Sequence, residues 1–359
     1  IAAGTLFVLP SAIILWVLSF VYVSYGKLGW VAAIFYGLKP AVLGIVAAAV
    51  IRIGNKALKN PVMWSVAGAT FLAIFFLKVP FPLIIGLAAL LGLIGGRFWK
   101  EKFLVVRPAT NDVGAPPEQE AVLNDDGEGA RELKPSLARA VRVLGTCIIL
   151  WWAPVFLLAA WLSWEHTLVR EGLLFSKAAM VTFGGAYAVL PYVSQQAVET
   201  QGWLTGPEML DGLGLAETTP GPLIMVLQFV GFVGGWHHPG NLPRLLAATL
   251  GALITTWTTF VPCFLWIFLG APHIEQLRGN EKLSAALSSV TAAVVGVIAN
   301  LGVWFGGQVI FSGKEGADWF VILIAVVTFI GIWKWKWDLV PVVLGAGLIG
   351  LLRYLIEQL

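Results

Sequence analysis

The segment WVAAIFYGLKPAVLGIVAAAV, residues 30–50, decides the fold class of this chain. Of its 21 residues only Lys39 carries a charge, and most of the others are apolar. A helix of about 20 apolar residues is long enough to cross roughly 30 Å of hydrocarbon. The segment therefore predicts a transmembrane helix with one lysine inside the membrane.

Similar apolar runs recur along the whole chain. The predicted spans are 5–23, 31–51, 62–77, 81–98, 143–163, 219–236, 244–269, 283–303, 319–333 and 339–356. Only 12% of the 359 residues are charged and 58% are hydrophobic, whereas a soluble protein carries about 25% charge. The composition excludes a soluble protein and predicts an all-α polytopic integral membrane protein.

A hydrophilic segment divides the apolar runs into two groups. Residues 111–129 hold six acidic residues and no basic residue, and basic residues flank them on both sides. We expect a first transmembrane half at 1–98, a disordered linker at 99–142 and a second half at 143–359. Because basic loops favour the cytoplasm, the linker is predicted to be cytoplasmic.

The two halves contain matching segments. AVLGIV at 41–46 matches AVVGVI at 293–298, and Pro10 matches Pro262, both 252 positions apart; Pro82 and Gly86 match Pro341 and Gly345, 259 apart. We expect inverted repeats with broken or re-entrant helices if residues 178–190 cross the membrane, and parallel repeats if they do not. The counterpart of residues 170–240 would lie upstream of Ile1, so we also expect an N-terminal truncation.

Residues 176–222 interrupt the apolar pattern with glycines, prolines and carboxylates. Broken helices are tolerated in membranes where they are buried in protein or line a wet cavity. In Thr218-Thr219-Pro220-Gly221-Pro222, hydroxyl residues and prolines precede a helix whose free amides can face an anion. In Phe183-Gly184-Gly185, paired glycines allow close backbone approach, although a kink with close helix packing accounts for them as well.

Lys39 is the leading single candidate, because an intramembrane lysine is costly and usually functional. Snorkelling to an interface is the alternative. Glu217 is a candidate proton carrier or counter-ion to Lys39, since a carboxyl group at low dielectric binds a proton readily. The alternative, which fits equally well, is that Glu217 is a helix-end carboxylate favoured by the helix dipole. Glu208 is a second candidate for proton coupling, although Glu199, Glu208 and Asp211 fit better as the wet face of an interfacial helix.

Other polar residues are expected to have simpler roles. Gln228 and Asn300 are expected to hydrogen-bond between helices. His237 and His238 lack neighbouring ligands for a metal, and Cys147 and Cys263 lie in apolar runs. We therefore predict no metal site, no cofactor and no enzymatic activity. The net charge of +3 is too small to indicate a nucleic-acid partner.

The order of the motifs resembles the chromate ion transporter family. The resemblance rests on FGGAYAVLPYV at 183–193, Val198, Trp203, Glu208, TTPGP at 218–222, Gly231 and GLKPAV at 37–42. It implies an inner-membrane exporter of chromate driven by protons, which confers chromate resistance. The expected partners are chromate or a similar oxyanion, protons and the lipid bilayer, and a homodimer is a possible assembly.

The site follows from the motifs and the resemblance together. The candidate substrate-binding residues are Lys39, Phe183, Gly184, Gly185, Thr218, Thr219, Pro220, Gly221 and Pro222. The chain lacks a first-half copy of the FGG and PGP motifs, which leaves half of the family's expected site unaccounted for. Sulfate has the same charge and shape as chromate, so a sulfate carrier is the first alternative, and a non-transporting membrane scaffold or subunit is the second.

Overall fold

The computed structural model describes residues 2–104, 136–182, 185–273, 280–311 and 316–358. Within these ranges the chain is helical and contains no strand. The helices are α1 (Ala2–Tyr25), α2 (Gly29–Ala57), α3 (Pro61–Leu77), α4 (Phe81–Phe98), α5 (Leu137–Leu162), α6 (Thr167–Val181), α7 (Ala186–Ser194), α8 (Gly206–Thr218), α9 (Val226–His237), α10 (Arg244–Gly270), α11 (Glu281–Ile310), α12 (Trp319–Trp335) and α13 (Leu339–Glu357).

Seven of the described helices are long and apolar enough to cross a membrane, namely α1, α2, α4, α5, α10, α11 and α13. Two further apolar helices, α3 and α12, have 17 residues each. The sequence prediction of an all-α polytopic membrane protein is confirmed. Residues 105–135, most of the predicted linker, lie outside the described residues, and the predicted domain boundaries stay a prediction.

The repeat appears in the structure as equivalent helix contacts. Helix α11 begins 252 positions after α2, while α12 and α13 begin 258 positions after α3 and α4, one fewer than the sequence match indicated. Gly44 of α2 lies so close to α12 that an added Cβ would be 2.7 Å from the carbonyl oxygen of Ala325. The equivalent glycine of α11, Gly296, makes an even closer approach to the carbonyl oxygen of Ala67 in α3. Each long helix thus packs against the last helices of the other half.

The direction of these contacts shows that the halves are inverted. Along the α2–α11 contact, an added Cβ at Gly54 would lie 3.6 Å from Val295, and one at Gly306 would lie 3.8 Å from Leu43. As the residue number falls along α2 it rises along α11, so these equivalent helices are antiparallel. Only a pseudo-two-fold axis perpendicular to the helices relates such a pair, which is the arrangement of inverted repeats.

The reason for the inversion differs from the one that the sequence suggested. The structure contradicts the crossing of residues 178–190, because α7 runs back toward the end of the bundle at which α6 begins. The predicted span 219–236 is likewise wrong, since it becomes the short helix α9, the returning arm of a second hairpin. The sequence predicted two membrane crossings between α5 and α10, whereas the structure has two hairpins that each return to the end where they began. In either case α5 and α10 run in opposite directions, so the inverted topology is retained.

Candidate anion site at the tips of two re-entrant hairpins

The first hairpin consists of α6 and α7. We call the end of the bundle where α4 ends and α5 begins the linker end. Helix α6 follows α5 directly and therefore begins at the opposite end. Its 15 residues extend only about 22 Å. The chain then returns through α7 and a π-helical turn, Gln195–Thr200, and Glu199 lies beside Lys78 at the opposite end.

The second hairpin consists of α8 and α9, and its two ends are held together by histidines. His237 Nδ1 lies 3.1 Å from the carbonyl oxygen of Trp203, and His238 Nε2 lies 3.1 Å from that of Gly202. The hairpin turns back at Thr219–Pro222, where the TTPGP motif interrupts the helix. The two histidines, interpreted from sequence as loop residues, therefore close the base of this hairpin.

The tips of the hairpins meet. The hydroxyl of Tyr187, on the second residue of α7, donates a hydrogen bond to Glu217 near the end of α8. The charge of Arg52, on α2, acts on both of these residues. Two motifs that lie about 30 residues apart in sequence thus come together beside a cation.

Each tip contains a glycine with a positive φ, one in open space and one packed closely against α1. Gly185 precedes α7 with φ of 105°, and no heavy atom of the described residues would lie within 4 Å of a Cβ added there. Gly221 has φ of 131°, and an added Cβ would lie 2.7 Å from Ser11 Cβ of α1. The first amides of a helix have no partner within it, so the start of α7 can offer N–H groups to an anion. Phe183 and Gly184 lie outside the described residues.

The hydroxyl groups of Thr218 and Thr219 were expected to bind the anion, but the structure arranges them differently. Thr218 Oγ1 donates to the carbonyl of Leu215 at 2.7 Å, and Thr219 Oγ1 donates to that of Ala216 at 2.9 Å. Local bonds of this kind satisfy the end of α8. In this conformation the two hydroxyl protons are used within the helix. Pro220 is exposed, and Pro222 precedes the 3₁₀ turn Leu223–Met225 that leads into α9.

Lys39 forms an ion pair with Asp211. Its Nζ lies 3.4 Å from Asp211 Oδ2, and the hydroxyl of Tyr22 donates to the same oxygen at 3.0 Å. The interpretation of Asp211 as part of a wet face is wrong, because its side chain is only 4% exposed. The proposed pairing of Lys39 with Glu217 is also not what the structure shows. Asp211 lies six residues before Glu217, which places Lys39 about 9 Å from the tips along α8.

The remaining candidates have structural roles. Glu208 completes a capping box with Thr205 at the start of α8, and Glu199 is exposed. Gln228 donates to the carbonyl of Ala12 at 2.7 Å and accepts from Thr256 at 3.0 Å, so its predicted packing role is confirmed. Asn300 lines a cleft. Among the described residues no group of three His, Cys, Asp or Glu side chains could hold a metal ion.

Sequence reasoning missed a buried carboxyl group on α6. Glu171 is completely buried, and neither of its oxygens has a hydrogen-bond partner among the described residues. It packs against Gly234 and Gly251, where an added Cβ would lie 2.5 Å and 2.8 Å from its oxygens. In the sequence, Glu171 stands two residues before an apolar run. This pattern is too common to identify a buried carboxyl group.

Comparison with known proteins identifies one family that matches most of the chain. The family model described as chromate transporter matches residues 1–93 and 171–351. The chain is 30% identical to the chromate transport protein of Pseudomonas aeruginosa over 99% of this chain and 75% of that protein. It is 27% identical to the chromate transport protein of Cupriavidus metallidurans over 98% and 74%.

A shorter relative corresponds to one half of the repeat in size. The uncharacterized transporter YwrA of Bacillus subtilis is 26% identical over 50% of this chain and 92% of its own length. No solved structure matches the chain. The second matched segment contains most of both hairpins, and the two segments together contain most of the repeated helices of the two halves. The chain therefore belongs to the chromate transporter family.

Proposed function

We propose that this protein moves chromate out of the cytoplasm through a site at the tips of the two hairpins. The observation that carries the proposal is the junction of the tips, where Tyr187 bonds Glu217 within range of the charge of Arg52. Chromate is a tetrahedral dianion and needs donors and positive charge to replace its hydration. Helix amides near Gly185 and Gly221 with the guanidinium of Arg52 supply both.

Lys39 takes a different part in this proposal from Arg52. Its charge is shared with Asp211, and it lies further from the tips. We propose that it contacts the anion on the way between the tips and the opposite end. Inverted repeats support alternating exposure of the tips to the two sides of the membrane.

Direction and coupling are also part of the proposal. Basic residues concentrate at the linker end, including Arg52, Lys56, Lys59, Arg97, Lys100 and Lys102, which supports a cytoplasmic location for that end. Glu217 is the better candidate for proton coupling, because it lies at the tip, is buried and accepts a hydrogen bond from Tyr187. Glu208 is held by its capping box, so we assign it the lesser part.

The test is chromate uptake into inside-out vesicles that contain the full chain. Arg52→Ala is expected to lower kcat/KM by about tenfold or more, since a charge-assisted contact with the anion is lost. Lys56→Ala, a change of similar charge one turn away, is the matched control. Lys39→Ala is expected to lower kcat more than it raises KM.

Two additions to the same assay separate substrate and coupling. Excess sulfate competes if the site accepts any tetrahedral dianion, and collapse of the pH gradient stops uptake if protons drive it. Absence of chromate uptake by the wild-type protein would overturn the proposal and favour a scaffold. Equal kinetics of the Arg52 and Lys56 variants would overturn the assignment of the site to the tips.

A further inference from the structure

Two clefts of nearly equal size lie at opposite ends of the bundle. One, of about 450 Å³, opens at the linker end between α2 and the turn that joins α12 to α13. The other, of about 440 Å³, opens at the opposite end between α11 and the turn that joins α3 to α4. Because α11 is the repeat partner of α2, the two clefts occupy equivalent places in the two halves.

The equivalence holds residue by residue. The α2 residues of the linker-end cleft are Ala48, Ile51, Arg52 and Asn55. The residues 252 positions later all line the opposite cleft, and they are Asn300, Val303, Trp304 and Gly307. Such agreement at four positions shows that the clefts are a symmetric pair and that neither is an isolated surface depression.

Each cleft holds one lysine at the same repeat position. Lys78 follows α3 with φ of 50°, and Lys336 follows α12 with φ of 56°. Both are residues other than glycine in the left-handed region, which is uncommon and marks a position fixed by its surroundings. The amides of Val79 and Trp337, the next residues, bond the equivalent carbonyls of Ala73 and Gly331.

The charges of the two clefts differ although their repeat positions correspond. The linker-end cleft contains Arg52 and Lys336 with one carboxylate, Asp338. In the opposite cleft the position of Arg52 is taken by Trp304, and Lys78 shares the cleft with Glu199. The linker-end cleft is therefore net positive and the opposite cleft is neutral. A dianion is attracted to the first and released more readily from the second.

We propose that these clefts are the two access vestibules of the transporter and that the linker-end cleft, through Arg52 and Lys336, is the docking site for the tetrahedral dianion. This inference rests on the proposed function and adds the entry and exit positions. Arg52 belongs both to this cleft and to the surroundings of the hairpin tips, so it connects the vestibule to the site. The charge difference raises the local concentration of the dianion at the linker end, and the driving gradient sets the direction of net movement.

The test compares lysine variants for substrate presented on each side. The full chain is reconstituted in phosphatidylcholine vesicles, which carry no anionic headgroups to compete for the lysines. Lys336→Ala is expected to raise the KM for chromate presented at the linker end by about fivefold, through loss of one nearby charge. Lys78→Ala is expected to raise the KM only for chromate presented at the opposite end.

The matched control is Lys334→Ala, which removes an exposed lysine of α12 outside the cleft. It is expected to leave both KM values unchanged. If Lys334→Ala and Lys336→Ala have equal effects while the wild type transports chromate, general surface charge acts and the docking inference is wrong, but the proposed function stands. If adding phosphatidylserine removes the Lys336 effect, the cleft binds lipid headgroups and the inference is again overturned.

A second measurement needs no transport. Asn55→Cys and Gly307→Cys mark equivalent positions of the two clefts in a chain whose Cys147 and Cys263 are replaced by alanine. Chromate is expected to slow labelling by a thiol reagent at position 55 more than at position 307, because it docks in the net positive linker-end cleft. Equal slowing at both positions, or none at either, refutes the docking site. Because labelling does not require transport, this result tests the proposed docking site even if the wild type moves no chromate. It is therefore separate from the test of the proposed function.

Discussion

The ion pair between Lys39 and Asp211 allows a quantitative prediction. Asp211 is 4% exposed and Lys39 is 23% exposed, with 3.4 Å between the charged atoms. Removing one partner of a buried pair costs about 3–5 kcal/mol, because the other charge is left without compensation. Lys39 retains some access to water, so the two single variants are not expected to be equal.

Lys39→Ala is expected to be the more damaging variant. It leaves the carboxylate of Asp211 with the hydroxyl of Tyr22 as its remaining partner, and we expect a loss of about 3 kcal/mol in the free energy of unfolding. Asp211→Ala is expected to lose about 1–2 kcal/mol, since the partly exposed ammonium group can be hydrated. The double variant should be no worse than Lys39→Ala alone, which gives a coupling energy of about 1–2 kcal/mol.

The measurement is unfolding in mixed micelles of mild detergent and sodium dodecyl sulfate, followed by circular dichroism. The ion pair of Lys100 with Glu281 is the matched control, with a separation of 2.7 Å and side chains 61% and 54% exposed. Its cycle is expected to give about 0–1 kcal/mol, as is usual for surface pairs. A coupling energy for Lys39 and Asp211 no larger than that of the control would refute the reasoning.

Three further predictions use the same unfolding assay. Glu171→Met is expected to stabilise the protein by about 1–3 kcal/mol, because it removes a buried carboxyl group without partners among the described residues; a loss of stability would contradict this. Tyr187→Phe is expected to cost about 1.5–3 kcal/mol through loss of its hydrogen bond to Glu217, and chromate uptake should fall with it, whereas a silent variant would argue against contact between the tips. Gly221→Ala is expected to cost about 1–3 kcal/mol because of its positive φ, while Gly86→Ala, in an open position of α4, should be neutral or stabilising by up to about 1 kcal/mol.

The re-entrant hairpins show how sequence reasoning reached a correct topology by an incorrect route. Apolar length identifies α1, α2, α10 and α11 as spans, because each of them supplies enough residues to cross hydrocarbon. The same criterion fails for residues 219–236. An apolar arm buried by its neighbours has the same composition as a span that faces lipid, so composition cannot distinguish them.

The candidate site was predicted in part. The motifs around Gly185 and Gly221 were located from sequence, because glycine and proline clustered in an apolar run indicate a helix that breaks at membrane depth. Arg52 was not singled out from the sequence, and Asp211 was assigned to a wet surface. The role of each depends on which helix packs beside α8, and that information is not local.

The sequence by itself determined that this chain is a helical membrane protein with two related halves and two broken segments, because hydrophobic length and helix-breaking residues act locally. Only the tertiary structure decided that the broken segments are hairpins whose tips meet, that Lys39 pairs with Asp211, and that Lys78 and Lys336 lie in equivalent clefts. The meeting of the tips joins residues 30 positions apart, and the other two features arise from contacts between residues more than a hundred positions apart. They depend on the pseudo-two-fold packing of the halves, which no single segment specifies.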